Sequence, residues 1–183
     1  MTVEILSKEE REEIISYGIE RGKVICISIM VTLIIGYLLN AVFQSVVFLI
    51  SLCSLRRYSG GYHADTPQRC YFISFLIVIL SIILIKLINN CNVLCIVMQF
   101  INYMIIVLMA PVENPIKRLN QIEREKYGKK TKMVASVMCL VSVCLYWNAE
   151  YYIANPIGIA CLVVGGLLVF GNIKNKRRGI TGI

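Results

Sequence analysis

Phe72–Ile88, FISFLIVILSIILIKLI, is followed by Asn89-Asn90-Cys91-Asn92 and then by Val93–Ala110, VLCIVMQFINYMIIVLMA. Each apolar run is close to the roughly 20 residues that cross a bilayer at about 1.5 Å per residue. The four residues between them are turn formers. This predicts a pair of membrane helices joined by a polar turn. The rest of the chain agrees with that setting. It has 183 residues, of which 57% are hydrophobic and 16% charged, and a mean hydropathy of +0.71. A soluble domain is usually about 45–50% apolar.

Working outward, three apolar blocks, Val24 to Leu55, Tyr71 to Pro111 and Met133 to Ile173, contain only Lys86 and Glu150 as charged residues. The third block divides like the second, with Met133 to Trp147 and Pro156 to Gly171 flanking Asn148 to Asn155. The first block reads either as one strongly tilted helix or as two short ones broken near Gly36 or within Asn40 to Gln44. Charge placement favours two. Basic residues gather in Met1 to Lys23, Arg56 to Arg69, Val112 to Lys132 and Lys174 to Arg178, and such segments stay in the cytoplasm. If all four face one side, every block crosses an even number of times. The expected fold is therefore all-α and polytopic, with six transmembrane or re-entrant segments in three helical hairpins.

The whole chain, 1–183, reads as one integral-membrane domain. Residues 1–23 set Ile5, Leu6, Ile14, Ile15 and Ile19 among six Glu, two Arg and two Lys, which predicts an amphipathic surface helix capped by Ser7 with Glu10. Residues 56–70 form a polar loop, 112–132 a basic loop and 174–183 a basic tail. Lys86 and Glu150 are expected to snorkel to water. Gly165-Gly166 suits close helix packing, and Tyr146, Trp147, Tyr151 and Tyr152 an interfacial belt. The net charge of +8 is distributed as membrane-flanking groups with no nucleic-acid module. No metal site is expected, because His63, Asp65 and Cys70 do not make four ligands and no Cys-x-x-Cys is present.

The polar island Arg56-Arg57-Tyr58-Ser59-Gly60-Gly61-Tyr62-His63-Ala64-Asp65-Thr66-Pro67-Gln68-Arg69-Cys70 holds the only histidine. Thr66-Pro67 reads as a helix start, with proline at the first helical position. Cys70 then falls in the first turn. Unpaired N–H groups there favour a thiolate over the ordinary thiol, whose pKa is near 8.5. Gly60 and Gly61 allow the chain to fold back and bring His63 to Cys70 as its base. Asp65, Asn114 or a backbone carbonyl could orient the ring. The plainer alternative makes His63 and Cys70 ordinary residues of a loop and a helix end.

Arg56-x-x-x-Gly60-Gly61-x-His63-Ala64 with Cys70 seven residues after the histidine resembles the active-site region of the accessory gene regulator B family. Ala110-Pro111-Val112-Glu113-Asn114-Pro115-Ile116-Lys117-Arg118 resembles that family's Pro-containing loop. The resemblance implies a bacterial membrane cysteine endopeptidase of quorum sensing. It implies that Cys70 attacks a small propeptide, releases its C-terminal segment and holds the rest as a thioester, which a substrate cysteine converts to a thiolactone. No cofactor is required. It further implies supporting roles for Arg56 and Gly61, homodimers, and docking of an acidic propeptide tail on the basic loop, including Lys117, Arg118, Lys129 and Lys130. The competing class is a non-enzymatic peptide exporter or immunity factor.

Overall fold

The computed structural model describes residues 8–61, 67–88, 92–112 and 120–177. They form six helices: α1 Lys8–Leu38, α2 Val42–Ser59, α3 Pro67–Leu87, α4 Asn92–Met109, α5 Gln121–Trp147 and α6 Tyr151–Arg177. Among the described residues three helices are long and apolar enough to cross a membrane, within Gln68–Leu87, Gln121–Trp147 and Tyr151–Arg177. Gly22–Leu38 and Val93–Met109 are shorter apolar helices.

The first block is two helices, divided at Asn40 within the expected region. The break is a Schellman turn. Asn40 takes φ of 51°, its N–H donates to Tyr37 O at 3.1 Å, and that of Ala41 donates to Gly36 O at 2.7 Å. Asparagine tolerates this left-handed position better than most residues. The same device ends α5. Ala149 takes φ of 59°, its N–H donates to Tyr146 O at 3.2 Å, and that of Glu150 donates to Leu145 O at 2.9 Å. Glu150 O then accepts from Ala154 N at 3.0 Å, so Glu150 joins the two helices through its backbone.

Consecutive helices alternate in direction. At one end, Lys86 Nζ donates to Leu39 O, Asn155 Nδ2 donates to Ile88 O at 3.0 Å, and the Phe43 and Tyr152 rings stack at 5.6 Å. These ties gather the C-termini of α1 and α3 with the N-termini of α2 and α6. At the other end, Gly60 after α2 pairs with Val112 after α4, beside the start of α5. Helix α6 is central: 56% of its apolar window is buried, against 22% for those of α3 and α5. It packs on α2, α4, α5 and α3. Leu55, Ile106, Ala135, Cys161, Val164 and Leu168 form the main core.

Five expectations are corrected. Helices α3 and α4 divide at the predicted turn but pack apart, α3 mainly on α1 and α6, α4 on α5 and α6. The reason lies on α6. Gln99 and Asn102 of α4 are buried, Gln99 Nε2 donates to Cys161 Sγ at 3.4 Å, and a Cβ at Gly165 would lie 3.1 Å from Asn102 Oδ1. Polar side chains in an apolar medium seek partners on a neighbouring helix. Next, the N-terminal helix is not separate. From Lys8 it runs through Lys23 into the membrane block as one rod of about 46 Å, while its expected cap at Ser7 lies outside the described residues.

Residues 121–132, expected in a loop, open α5. Asn120 Oδ1 accepts from Gln121 N at 2.7 Å and Glu123 Oε2 from Asn120 N at 3.3 Å, a capping box that starts the helix early. Helix α6 likewise begins at Tyr151, with Pro156 inside its second turn. Lastly, Tyr146 belongs to the core rather than to an interfacial belt. It is 3% exposed, whereas Trp147 is 84% exposed. Its hydroxyl fits against Gly158, where a Cβ would come within 2.7 Å of it.

Candidate active site

Helix α2 ends because Gly60 takes φ of 69° and ψ of −139°, and Gly61 follows with φ of 120°. Side chains strain at such angles. At Gly60 space forbids one as well, and at Gly61 the fit is tight. A Cβ on Gly60 would run into Val112 O, and one on Gly61 would lie 3.3 Å from Leu167 O and 3.6 Å from Arg56 Nη1. The glycine pair is therefore wedged between Val112, just after α4, and the backbone of α6.

Val112 holds that wedge in place. Its N–H donates to Ser59 O at 3.0 Å, and residues 60 and 112 make a parallel bridge. Pro111 leans on α5, where a Cβ at Gly128 would lie 3.4 Å from Pro111 Cδ. Arg56, one turn before Gly60 on α2, buries its Nη1 against Gly61. Its guanidinium thus reaches into the wedge, although the residue is only half-buried.

Beside this wedge, Tyr58 and Tyr127 approach to 6.4 Å between ring centroids. Lys130 Nζ sits 5.2 Å and Arg57 Cζ 5.8 Å from the Tyr58 ring centre, the geometry of cation–π attraction. Lys129 is exposed. Both lysines project from the first turns of α5 instead of a flexible loop. Tyr58 and Tyr127 had no distinguishing signal in the sequence.

Cys70 is the fourth residue of α3, which Pro67 opens as expected. Its side chain is partly exposed. Because the far end of α3 meets Leu39 and Asn155, its first turn lies at the same end of the bundle as Gly60, Gly61 and Arg56. Amide N–H groups of a first turn have no partner within the helix. They can therefore receive a developing negative charge. His63, Asp65, Asn114, Lys117 and Arg118 lie outside the described residues.

A family model described as Accessory gene regulator B matches residues 2–170. The chain belongs to the AgrB family. It is 29% identical over 164 residues to AgrB-like protein 2 of Clostridium perfringens strain 13, covering 84% of this chain and 77% of that protein. It is also 29% identical over 165 residues to the AgrB-like protein of Clostridium perfringens strain SM101, with the same 84% and 77% coverage. No solved structure matches. AgrB membership and the long apolar helices together make this a membrane protein, with a general part in accessory-gene-regulator peptide processing.

Proposed function

We propose that this AgrB protein is a cysteine endopeptidase of the bacterial cell membrane that trims and cyclises a short quorum-sensing propeptide. The observation that supports it best is that Cys70, in the first turn of α3, lies at the same end of the bundle as the Arg56–Gly60–Gly61 wedge. His63 falls in sequence between the two, two residues after Gly61 and seven before Cys70.

The reaction runs as two acyl transfers. His63 takes the Cys70 proton, and the sulfur adds to the scissile carbonyl. N–H groups at the start of α3 stabilise the oxyanion. The C–N bond breaks as the imidazolium returns a proton to the leaving amine, which departs with the C-terminal segment. The remaining peptide is held as a Cys70 thioester. A cysteine thiol within that peptide then gives its proton to His63 and attacks the thioester, closing a thiolactone and freeing the Cys70 thiolate beside the imidazolium. Exclusion of water at the membrane boundary protects the thioester until the internal thiol arrives.

Gly60 and Gly61 fix the backbone shape beside the reacting sulfur, and Arg56, with its Nη1 against Gly61, holds that shape. The basic end faces the cytoplasm, as the excess of Lys and Arg requires. There Lys117, Arg118, Lys129 and Lys130 receive the acidic tail of the propeptide. Contact with anionic lipid adds about 1 kcal/mol per basic residue near the surface. The protein works as a homodimer.

The test is to express the chain with its cognate precursor and follow the precursor's mass, comparing Cys70→Ala and His63→Ala at matched membrane abundance. Both variants should leave it intact. Continued cleavage by Cys70→Ala would remove the nucleophile assignment, and transport without cleavage would favour an exporter.

A further inference from the structure

The end of the bundle opposite the wedge contains polar groups that the proposed reaction does not use. Gln99 of α4, Ser142 of α5 and Asn155 of α6 are 2%, 0% and 5% exposed. In each, one oxygen, Gln99 Oε1, Ser142 Oγ and Asn155 Oδ1, is buried with no hydrogen-bond partner among the described residues. The three come from three different helices. Counted at about 1.5 Å per residue from the helix ends on that side, they lie at depths of roughly 6 to 11 Å.

Gln99 Oε1 and Tyr146 Oη both lie near Gly158, and Asn155 and Ser142 are related to that point by their spacing along α6 and α5. A Cβ at Gly158 would lie 2.7 Å from Tyr146 Oη and 3.6 Å from Gln99 Oε1. Asn155 is three residues before Gly158 on α6 and Ser142 four before Tyr146 on α5, spacings that share a helix face. The nitrogens of the two amides are already committed, Gln99 Nε2 to Cys161 Sγ and Asn155 Nδ2 to Ile88 O. What remains are two amide oxygens and a hydroxyl. They lack a donor.

We propose that α4, α5 and α6 enclose an internal water site at this end, whose bound water donates to Gln99 Oε1 and Asn155 Oδ1 and exchanges a hydrogen bond with Ser142 Oγ. The alternative is three orphaned oxygens inside an apolar medium, each costly to bury dry. Buried water typically makes about three hydrogen bonds to such groups. A ligand with strong positive charge is disfavoured, because the site offers neutral oxygens and no carboxylate. A methyl at Gly158 would crowd Tyr146 Oη, so glycine is needed where Tyr146 and Gln99 approach α6.

Water-edited solid-state NMR on the full-length protein in phospholipid vesicles, with the side-chain amides of Gln and Asn labelled, tests this directly. The Gln99 and Asn155 amides should gain magnetisation from water on the timescale of exposed Gln68. No transfer to either after Gln68 has saturated would overturn the proposal. Ser142→Ala supplies a second readout with little change of shape. A lowered unfolding midpoint is expected, since the water loses a partner, whereas an unchanged or raised midpoint would mean that a dry, unsatisfied hydroxyl had been removed and would overturn it.

Discussion

The two ends of the bundle are joined by different means. At the basic end, backbone is held by backbone: Val112 N–H on Ser59 O, and Gly60 and Gly61 pressed against Val112 O and Leu167 O. At the opposite end, side chains reach carbonyls left over at helix termini, Lys86 to Leu39 O and Asn155 to Ile88 O. A side-chain tie can be lost and the helices still pack. At Gly60 no other residue fits unless the segment holding Val112 moves. Charge divides the same way, with Arg56, Arg57, Arg69, Lys126, Lys129, Lys130, Lys132, Lys174, Lys176 and Arg177 toward the basic end and only Lys86 and Glu150 toward the other. The proposed chemistry lies at the backbone-held end and the side-chain ties at the other.

The sharpest way to break that contrast is to exchange cysteines. Cys70→Ala should lower propeptide cleavage by at least about 10³-fold, the scale of losing a nucleophile. Cys144→Ala, on the exposed surface near the far end of α5, should stay within about twofold. Mass spectrometry of the precursor at matched membrane abundance reads both. Equal losses would dissolve the distinction between the ends.

Gly60→Ala should come next. It places a methyl against Val112 O at a backbone angle that non-glycine residues adopt at a cost of about 1–3 kcal/mol. Cleavage should fall about tenfold or more, and the thermal midpoint should drop with it. Wild-type cleavage in this variant would mean that the wedge plays no part in the reaction.

Lys86→Met probes the opposite end. It keeps the apolar stem but removes the donor to Leu39 O, and a hydrogen bond from a charged group contributes about 1.5–3 kcal/mol. Partial exposure reduces that to the order of 1 kcal/mol. The unfolding midpoint in detergent should fall by a few degrees while cleavage per folded molecule is unchanged. A fall in cleavage larger than the loss of folded protein would couple the two ends.

Much of this arrangement was legible in the sequence because it is local. Apolar runs and polar turns placed the helix breaks, Asn40 included, and Thr66-Pro67 placed the start of α3. Partners were not legible. Nothing in the periodicity of Phe72–Ala110 says that α3 and α4 should prefer α6 to each other, since that choice depends on Gln99 meeting Cys161 across 62 positions. Tyr146 carried the composition of an interfacial residue, and only Gly158 on the next helix makes it a core one. Of the candidate site, Arg56, Gly60 and Gly61 stood out by motif, but the anchoring role of Val112 depends on a bridge spanning 52 positions.

The smallest expected effect has the opposite sign, and for that reason it tests the assembly end most cleanly. Ala149 occupies the left-handed position of the turn that closes α5, with φ of 59° and both Schellman hydrogen bonds formed. Glycine is the usual residue there. An L-residue in that region costs roughly 1–2 kcal/mol, and the greater freedom of glycine in the unfolded chain returns about 0.4–1 kcal/mol of that difference. Ala149→Gly should therefore raise stability by about 0.5–1 kcal/mol, read as a higher thermal midpoint, with cleavage unaltered. At Gly60 the reverse exchange should damage both, although the two residues have φ values only ten degrees apart. The backbone angle accounts for the stability change at Ala149, whereas at Gly60 the collision with Val112 O adds to it and accounts for the loss of activity.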